Sequence, residues 1–226
     1  LEADFMSRFV LGISLLALVL GGCNDDDDDD VSVNSYLEGK KPIVSIVPVI
    51  DNTKNEYNWN LSDELSCSIY NRIAWKDTVV VNKASEVRKK LRQMKESRYP
   101  FARDIAWTKK AFQGDEFVVF LELVDHEEVP KINRKKQVDL QNTSVDLNMS
   151  MRVRVIDLRK DEPRIILQEL VHDSHRIPRP LTQANFLQVD WGDEGFGVSP
   201  IGLAHAGFTK QIAARIEDYI VTASAQ

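Results

Sequence analysis

Apolar and polar positions alternate most regularly between residues 145 and 155. Val145, Leu147, Met149, Met151, Val153 and Val155 alternate with Asp146, Asn148, Ser150, Arg152 and Arg154. A period of two over that length predicts a strand with one buried and one wet face. Residues 157–163 read as a turn, and Arg164 to Ser174 returns as the hairpin partner. Upstream, Ile43 to Ile50 is an almost continuous β-branched run closing on Asp51-Asn52. It predicts a strand covered on both faces, with Pro48 near its end or at a bulge. A short second strand is expected over 77–82 and a third from Phe117 to Val124. The charged stretch from His126 to Leu140 has one proline and no periodicity, which predicts a surface connection between antiparallel strands.

Helical spacing appears in four places. Leu61, Leu65, Ile69 and Ile73 recur every four residues, with Asn60 or Ser62 available as N-cap and Asp63-Glu64 favouring the helix start. Ser85 is expected to cap a second helix carrying Val87, Leu91 and Met94. A weaker third helix covers 102–112, and a last one runs from about Pro200 to Val221, with Phe208, Ile212 and Ile216 in its stripe. The first half therefore alternates like a parallel α/β unit and the second is an antiparallel meander. The expected fold is α/β (α+β): one mixed twisted sheet of five to six strands, helices on both faces, and a C-terminal helix packed on the sheet.

The beginning of the chain follows another pattern. Met6-Ser7-Arg8 precedes an apolar run from Phe9 to Leu20, then Gly21, Gly22 and Cys23. One basic residue, about a dozen apolar ones and small residues before a cleavage point describe a signal peptide. The run is shorter than the roughly 20 apolar residues that span a bilayer. Leu20-Gly21-Gly22-Cys23 resembles a bacterial lipobox, which makes Cys23 the first mature residue, bearing covalent diacylglycerol and N-acyl groups. Asn24 and the six aspartates Asp25 to Asp30 follow. Like charges repel, so this segment reads as a solvated tether. The expected organisation is a signal peptide over 1–22, with 1–5 upstream of the true start, a lipidated acidic tether over 23–41, and a globular domain over 42–226. A charge-extended tether of about 18 residues reaches at most ~60 Å.

Net charge is −6, and the aspartate run alone accounts for that much. The globular part is near neutral, and no basic stripe with interleaved aromatics supports nucleic-acid binding. The only other cysteine, Cys67, falls in a helical pattern and is expected to be buried and inert. No disulfide framework or cysteine metal site can be built.

Few residues carry a catalytic flavour. His172-Asp173-Ser174-His175 is such a cluster, but in a strand the two histidines face apart and cannot share a metal. Asp190-Trp191-Gly192-Asp193-Glu194-Gly195 offers acidic oxygens near glycines, without the ligand alternation and terminal glutamate of an EF-hand loop. It reads instead as a surface loop displaying Trp191 and Phe196, a candidate partner-contact site. His205 has no carboxylate or histidine four residues away and reads as a packing histidine. No phosphate-loop, nucleophile-elbow or His-Glu-x-x-His pattern occurs.

Four segments carry a resemblance. Ile43 to Asp51 looks like a first strand with its Asn/Asp loop, and Leu61-Ser62-Asp63-Glu64-Leu65 like the opening of the helix after it. Asp115 to Leu123 is similar to a Gly-Ala-Asp-Tyr-Val-Val-x-Gly strand, and Val153 to Leu158 to a strand ending in Val-x-Asp-x-x-Thr-Gly. Together they resemble the α/β domain shared by the TolB amino-terminal domain, LpoB and CsgG-type secretion lipoproteins. The usual alanine and glycine are replaced here by Gly114-Asp115-Glu116 and Leu121-Glu122-Leu123, and Thr-Gly by Arg159-Lys160. The full-length pattern, including Ser199 to His205, is also similar to a lipoprotein family of chlamydia-type bacteria.

What this implies is a non-enzymatic, acyl-anchored lipoprotein at the periplasmic face of the outer membrane, docking onto another envelope component. Asn24 is compatible with export to the outer membrane, while Asp25 beside it leaves inner-membrane retention open. Two alternatives remain: an envelope hydrolase or metal-dependent enzyme using His172, His175 or the Asp190 loop, and a secretion-pore subunit. The latter demands two membrane hairpins, and only Glu122 to Val145 could supply even one.

Overall fold

A computed structural model describes residues 40–54, 57–94, 98–130, 144–177 and 189–225. The expectations for the leader, Cys23, the tether up to residue 39 and the connection over 131–143 lie outside these residues. The predicted first strand is split into β1 (Ile43–Ile46) and β2 (Ile50–Asp51). Pro48 lies in the break, where its missing N–H costs no ladder bond. Helix α1 (Leu61–Trp75) follows, capped by Asn60, whose Oδ1 accepts from the Asp63 N–H at 3.0 Å. Strand β3 is only Val80–Val81, shorter than expected. The chain leaves α1 through Asp77 at φ +56°, held by Lys41 at 2.6 Å, so the residues before Val80 are spent on reversing direction.

Helices α2 (Ala84–Arg92) and α3 (Ala106–Ala111) come next. Ser85 does not cap α2: the helix begins one residue earlier, behind Lys83, without a side-chain cap. Nor does α3 start near residue 102. The carbonyls of Pro100, Phe101 and Ala102 accept from the Arg154 guanidinium at 2.6, 3.1 and 2.7 Å, an arrangement that takes the place of a first helical turn. Although Arg154 lies on the face predicted to be wet, it is buried, and Ser150 is too.

Strand β4 (Phe117–Pro130) corrects the reading of 126–140 as a surface connection, because the strand continues six residues past Val124. Its partner β5 (Val145–Asp157) is long enough to pair with all of it. A register shift between Leu123 and Asp125 inserts a bulge, which breaks the alternation that would have marked the continuation. Strand β6 (Arg164–Ile177) completes the predicted hairpin with β5. The six strands form one sheet in the order β3-β1-β4-β5-β6, with β2 also beside β4. The pairs β1/β3, β1/β4 and β2/β4 are parallel, and β4/β5 and β5/β6 are antiparallel.

Both faces are covered, unequally. The larger core sets Leu61, Leu65, Ile69 and Ile73 of α1 and Phe208, Ile212, Ile216 and Ile220 of the last helix, α4 (Pro200–Ser224), on the odd positions of β5 and on Phe117, Val119, Leu121 and Leu123. Burying each such side chain contributes about 1.5–3 kcal/mol. The smaller core puts Val87 of α2 and Phe112 behind α3 against Val118, Phe120 and Ile156. Cys67 is exposed rather than buried. It lies two residues beyond Leu65, about 200° around a helix turning 100° per residue, on the side away from the stripe.

Ser199 caps α4 by accepting from the Gly202 N–H at 3.0 Å, with Pro200 in the first turn. A Cβ on Gly202 would come within 1.9 Å of the Phe196 carbonyl oxygen. Gly202→Ala is therefore expected to lower stability by about 1–3 kcal/mol in urea denaturation, as overpacked sites do. Ser199→Ala should lose about 1 kcal/mol through its cap alone.

Candidate functional site

The parallel strands β1, β2 and β4 point their carboxyl ends at the region where residues 57–60, the start of α1, the far half of β4 and the start of α4 converge. In open α/β sheets this is the end at which ligands gather. Here it holds a chain of polar contacts. Tyr57 Oη lies 3.4 Å from His126 Nδ1, and His126 Nε2 lies 2.9 Å from His205 Nε2. His205 Nδ1 meets Glu64 Oε1 at 2.7 Å, and the Trp59 indole N–H donates to Glu64 Oε2 at 2.8 Å. The rings pack on one another as well. Tyr57 stacks on Trp59, and Phe196 sits edge-on to Trp59. Glu64 is 3 % exposed and His205 is buried. The residue read in the sequence as a dipole-favouring acid is thus turned inward.

Two ring nitrogens at 2.9 Å share one proton, so both histidines cannot be charged together. His126 is the neutral ring: burial, then the proximity of His205, pushes its pKa down to about 3. Burial, followed by the charges of Glu128 and Glu64, pushes the Tyr57 hydroxyl up, which opposes phenolate formation. An activated nucleophile needs the reverse. Each polar atom is aimed at another member of the chain, so the cluster clamps α1, β4 and α4 together.

The 190–198 loop lies against this cluster. Its turn is closed by the Asp190 N–H donating to Asp193 Oδ2 at 2.9 Å, with Gly192 at φ +105°. Among the described residues no group of three histidine, cysteine or acidic side chains could hold a metal. Trp191 is 37 % exposed, as expected of a displayed residue, but Phe196 is not displayed. It is turned inward onto Trp59 and His205, at 9 % exposure. Two apolar side chains further along the chain are open instead: Val198, 78 % exposed, and Leu203 on the first turn of α4, 52 % exposed. The contact segment read from the sequence, residues 188–198, includes Val198 but stops short of Leu203, which helical spacing offered as an alternative to Ala204 in the buried stripe; Ala204 is the one that is buried.

His172 and His175 sit opposite Ser150 and Leu147, positions on opposite faces of β5, and are not brought together. His172 Nδ1 meets Ser150 Oγ at 2.8 Å across the strands. Among the described residues no carboxylate orients its other nitrogen, so the pair lacks the third member of a hydrolytic relay. The His126–His205–Glu64 chain was invisible in the sequence because its members lie 79 and 141 positions apart. Only the inward phase of Glu64, one residue before Leu65, hinted at it.

Parallel βαβ strands joined to an antiparallel meander, with a long C-terminal helix against the larger core, define an open-sheet α/β domain. The chain belongs to a family of unknown function, DUF7499, whose model matches residues 33–224. It is similar to the solved structure of the hypothetical protein CT253 from Chlamydia trachomatis, with 25% identity and a TM-score of 0.60, covering 80% of this chain and 98% of that one. Lipoprotein GNA1162 from Neisseria meningitidis is 12% identical at a TM-score of 0.41, covering 76% and 99%. The LpoB C-terminal domain from Salmonella enterica is 10% identical at 0.37, covering 60% and 86%. No curated protein matches.

Proposed function

We propose that the protein is a non-enzymatic envelope lipoprotein that docks a protein partner through the surface formed by Trp191, Val198 and Leu203. Acylation of Cys23, after cleavage behind Leu20-Gly21-Gly22, anchors it in the outer membrane facing the periplasm. The observation that carries docking is an apolar patch held out on a rigid backing: Val198 and Leu203 lie open on the segment that Phe196 and Ser199 pin to the core. Clustered exposed apolar residues of this kind mark interaction sites.

The test has two arms in the producing cell. Cys23→Ala is expected to abolish palmitate labelling and release a soluble product. Labelling equal to wild type removes the anchor. A photo-crosslinker at Trp191 should give one dominant adduct, lost when Val198→Asp and Leu203→Asp are combined. An adduct pattern unchanged by those substitutions removes the docking surface.

A further inference from the structure

On the other side of the sheet, α2 and α3 are too short to close over the smaller core. Two hollows of about 620 and 430 Å³ remain there, both bounded by Met94, Arg98 and Trp107. Either volume is within the range of small-molecule sites. The floor of the larger is apolar, made of Val47, Pro48, Leu91 and Phe120. Water over that floor has polar partners only at the rim, where Arg92, Arg98 and Tyr99 stand.

The rim is cationic. Lys90, Arg92, Arg98 and Lys110 line one hollow or the other. Two of these charges are answered: Lys90 by Asp115 at 2.5 Å and Arg98 by Asp104 at 3.5 Å. Arg92 and Lys110 have no ion-pair partner among the described residues. Glu122, two residues beyond Phe120 on β4, does not cancel them, because it already accepts from Tyr99 Oη at 2.8 Å and from Arg152 at 2.7 Å.

We propose that these two hollows, which share Met94, Arg98 and Trp107, bind a single-chain amphiphile, its acyl chain on the Val47–Phe120 floor of the larger and its anionic head at the cationic rim to which Arg92 contributes in the larger and Lys110 in the smaller. A guanidinium and an ammonium beside an apolar trough reward a ligand that is apolar along its length and negative at one end. A free anion would leave the floor wet, and a cationic amphiphile would meet repulsion at the mouth. The site lies on the opposite face of the sheet from the docking loop and does not depend on it.

Calorimetric titration of the full chain with decyl phosphate, below its micelle concentration, tests this. The expected result is saturable one-to-one binding, with inorganic phosphate and decyltrimethylammonium each at least tenfold weaker. The Arg92→Glu/Lys110→Glu variant should bind decyl phosphate at least tenfold more weakly at an unchanged Tm. If that variant unfolds, Arg92→Gln/Lys110→Gln replaces it with the same expectation. Absence of saturation, equal binding of inorganic phosphate or of the cationic amphiphile, or an unaffected folded variant overturns the proposal.

Discussion

Glu64→Ala should be less stable than the wild-type protein by about 2–6 kcal/mol, the cost of leaving two donors without their acceptor. The carboxylate accepts from His205 Nδ1 at 2.7 Å and from the Trp59 indole at 2.8 Å. Alanine strands both donors, the buried His205 and the half-buried Trp59, and it leaves a cavity between α1 and α4. Each orphaned donor costs about 1–3 kcal/mol. Glu64→Gln keeps one acceptor oxygen but turns an amide N–H₂ toward the second donor, so it should fall between the two. Urea denaturation reads the difference as a lower midpoint at unchanged slope. A loss under about 1 kcal/mol for the alanine variant would mean that the cluster does not hold the helices, and the clamp reading would fail.

The second large effect is a dependence on pH. His126 titrates near 3 in the folded protein, against 6.5 for an ordinary histidine. Below pH 6.5 the unfolded chain therefore binds a proton that the folded one refuses. The stability this group contributes is complete above pH 6.5 and is lost progressively as pH falls toward 3. The full difference is on the order of 5 kcal/mol at 1.36 kcal/mol per unit. The groups facing His126 are His205 on α4, Glu64 on α1, Tyr57 in the preceding loop and Asp51 on β2. Asp157 adds a separate loss at lower pH. Burial raises its pKa, but the hydrogen bonds from Arg159 outweigh this and leave it lowered, so its contribution declines only below about 3.8. The difference between wild type and His126→Gln isolates the histidine. Between pH 6.5 and 4 the variant's stability should change much less steeply. Parallel profiles would show that His126 is not a buried neutral ring.

How legible the molecule was depended on whether a feature is local. The period of two in β5, the four-residue spacing in α1 and the proline-led start of α4 each lie within one element and could be read directly. β4 could not be followed past Val124. The bulge at Leu123/Asp125 shifts the phase, and Asp125 to Glu128 look like loop residues until β5 is laid beside them. Cys67 was misplaced because its helix was recognised but its angle on that helix was not used. In the 190–198 loop the exposure of Trp191 was legible and the burial of Phe196 was not, since an aromatic among glycines gives no sign of which way it turns. The histidine chain needed three elements brought together in space, which no pattern within one element encodes.

The hairpin of β5 and β6 has a consequence for the order of assembly. Its strands are joined by only the residues between Asp157 and Arg164, and they pair along nearly their whole length. Closing so short a loop requires little chain entropy. The first strands are placed differently, because β1 finds β4 only across more than 70 intervening residues. Contacts with small sequence separation form sooner than distant ones. The meander is thus expected to form first and to serve as the template for the amino-terminal strands, the part of the domain that emerges first in synthesis.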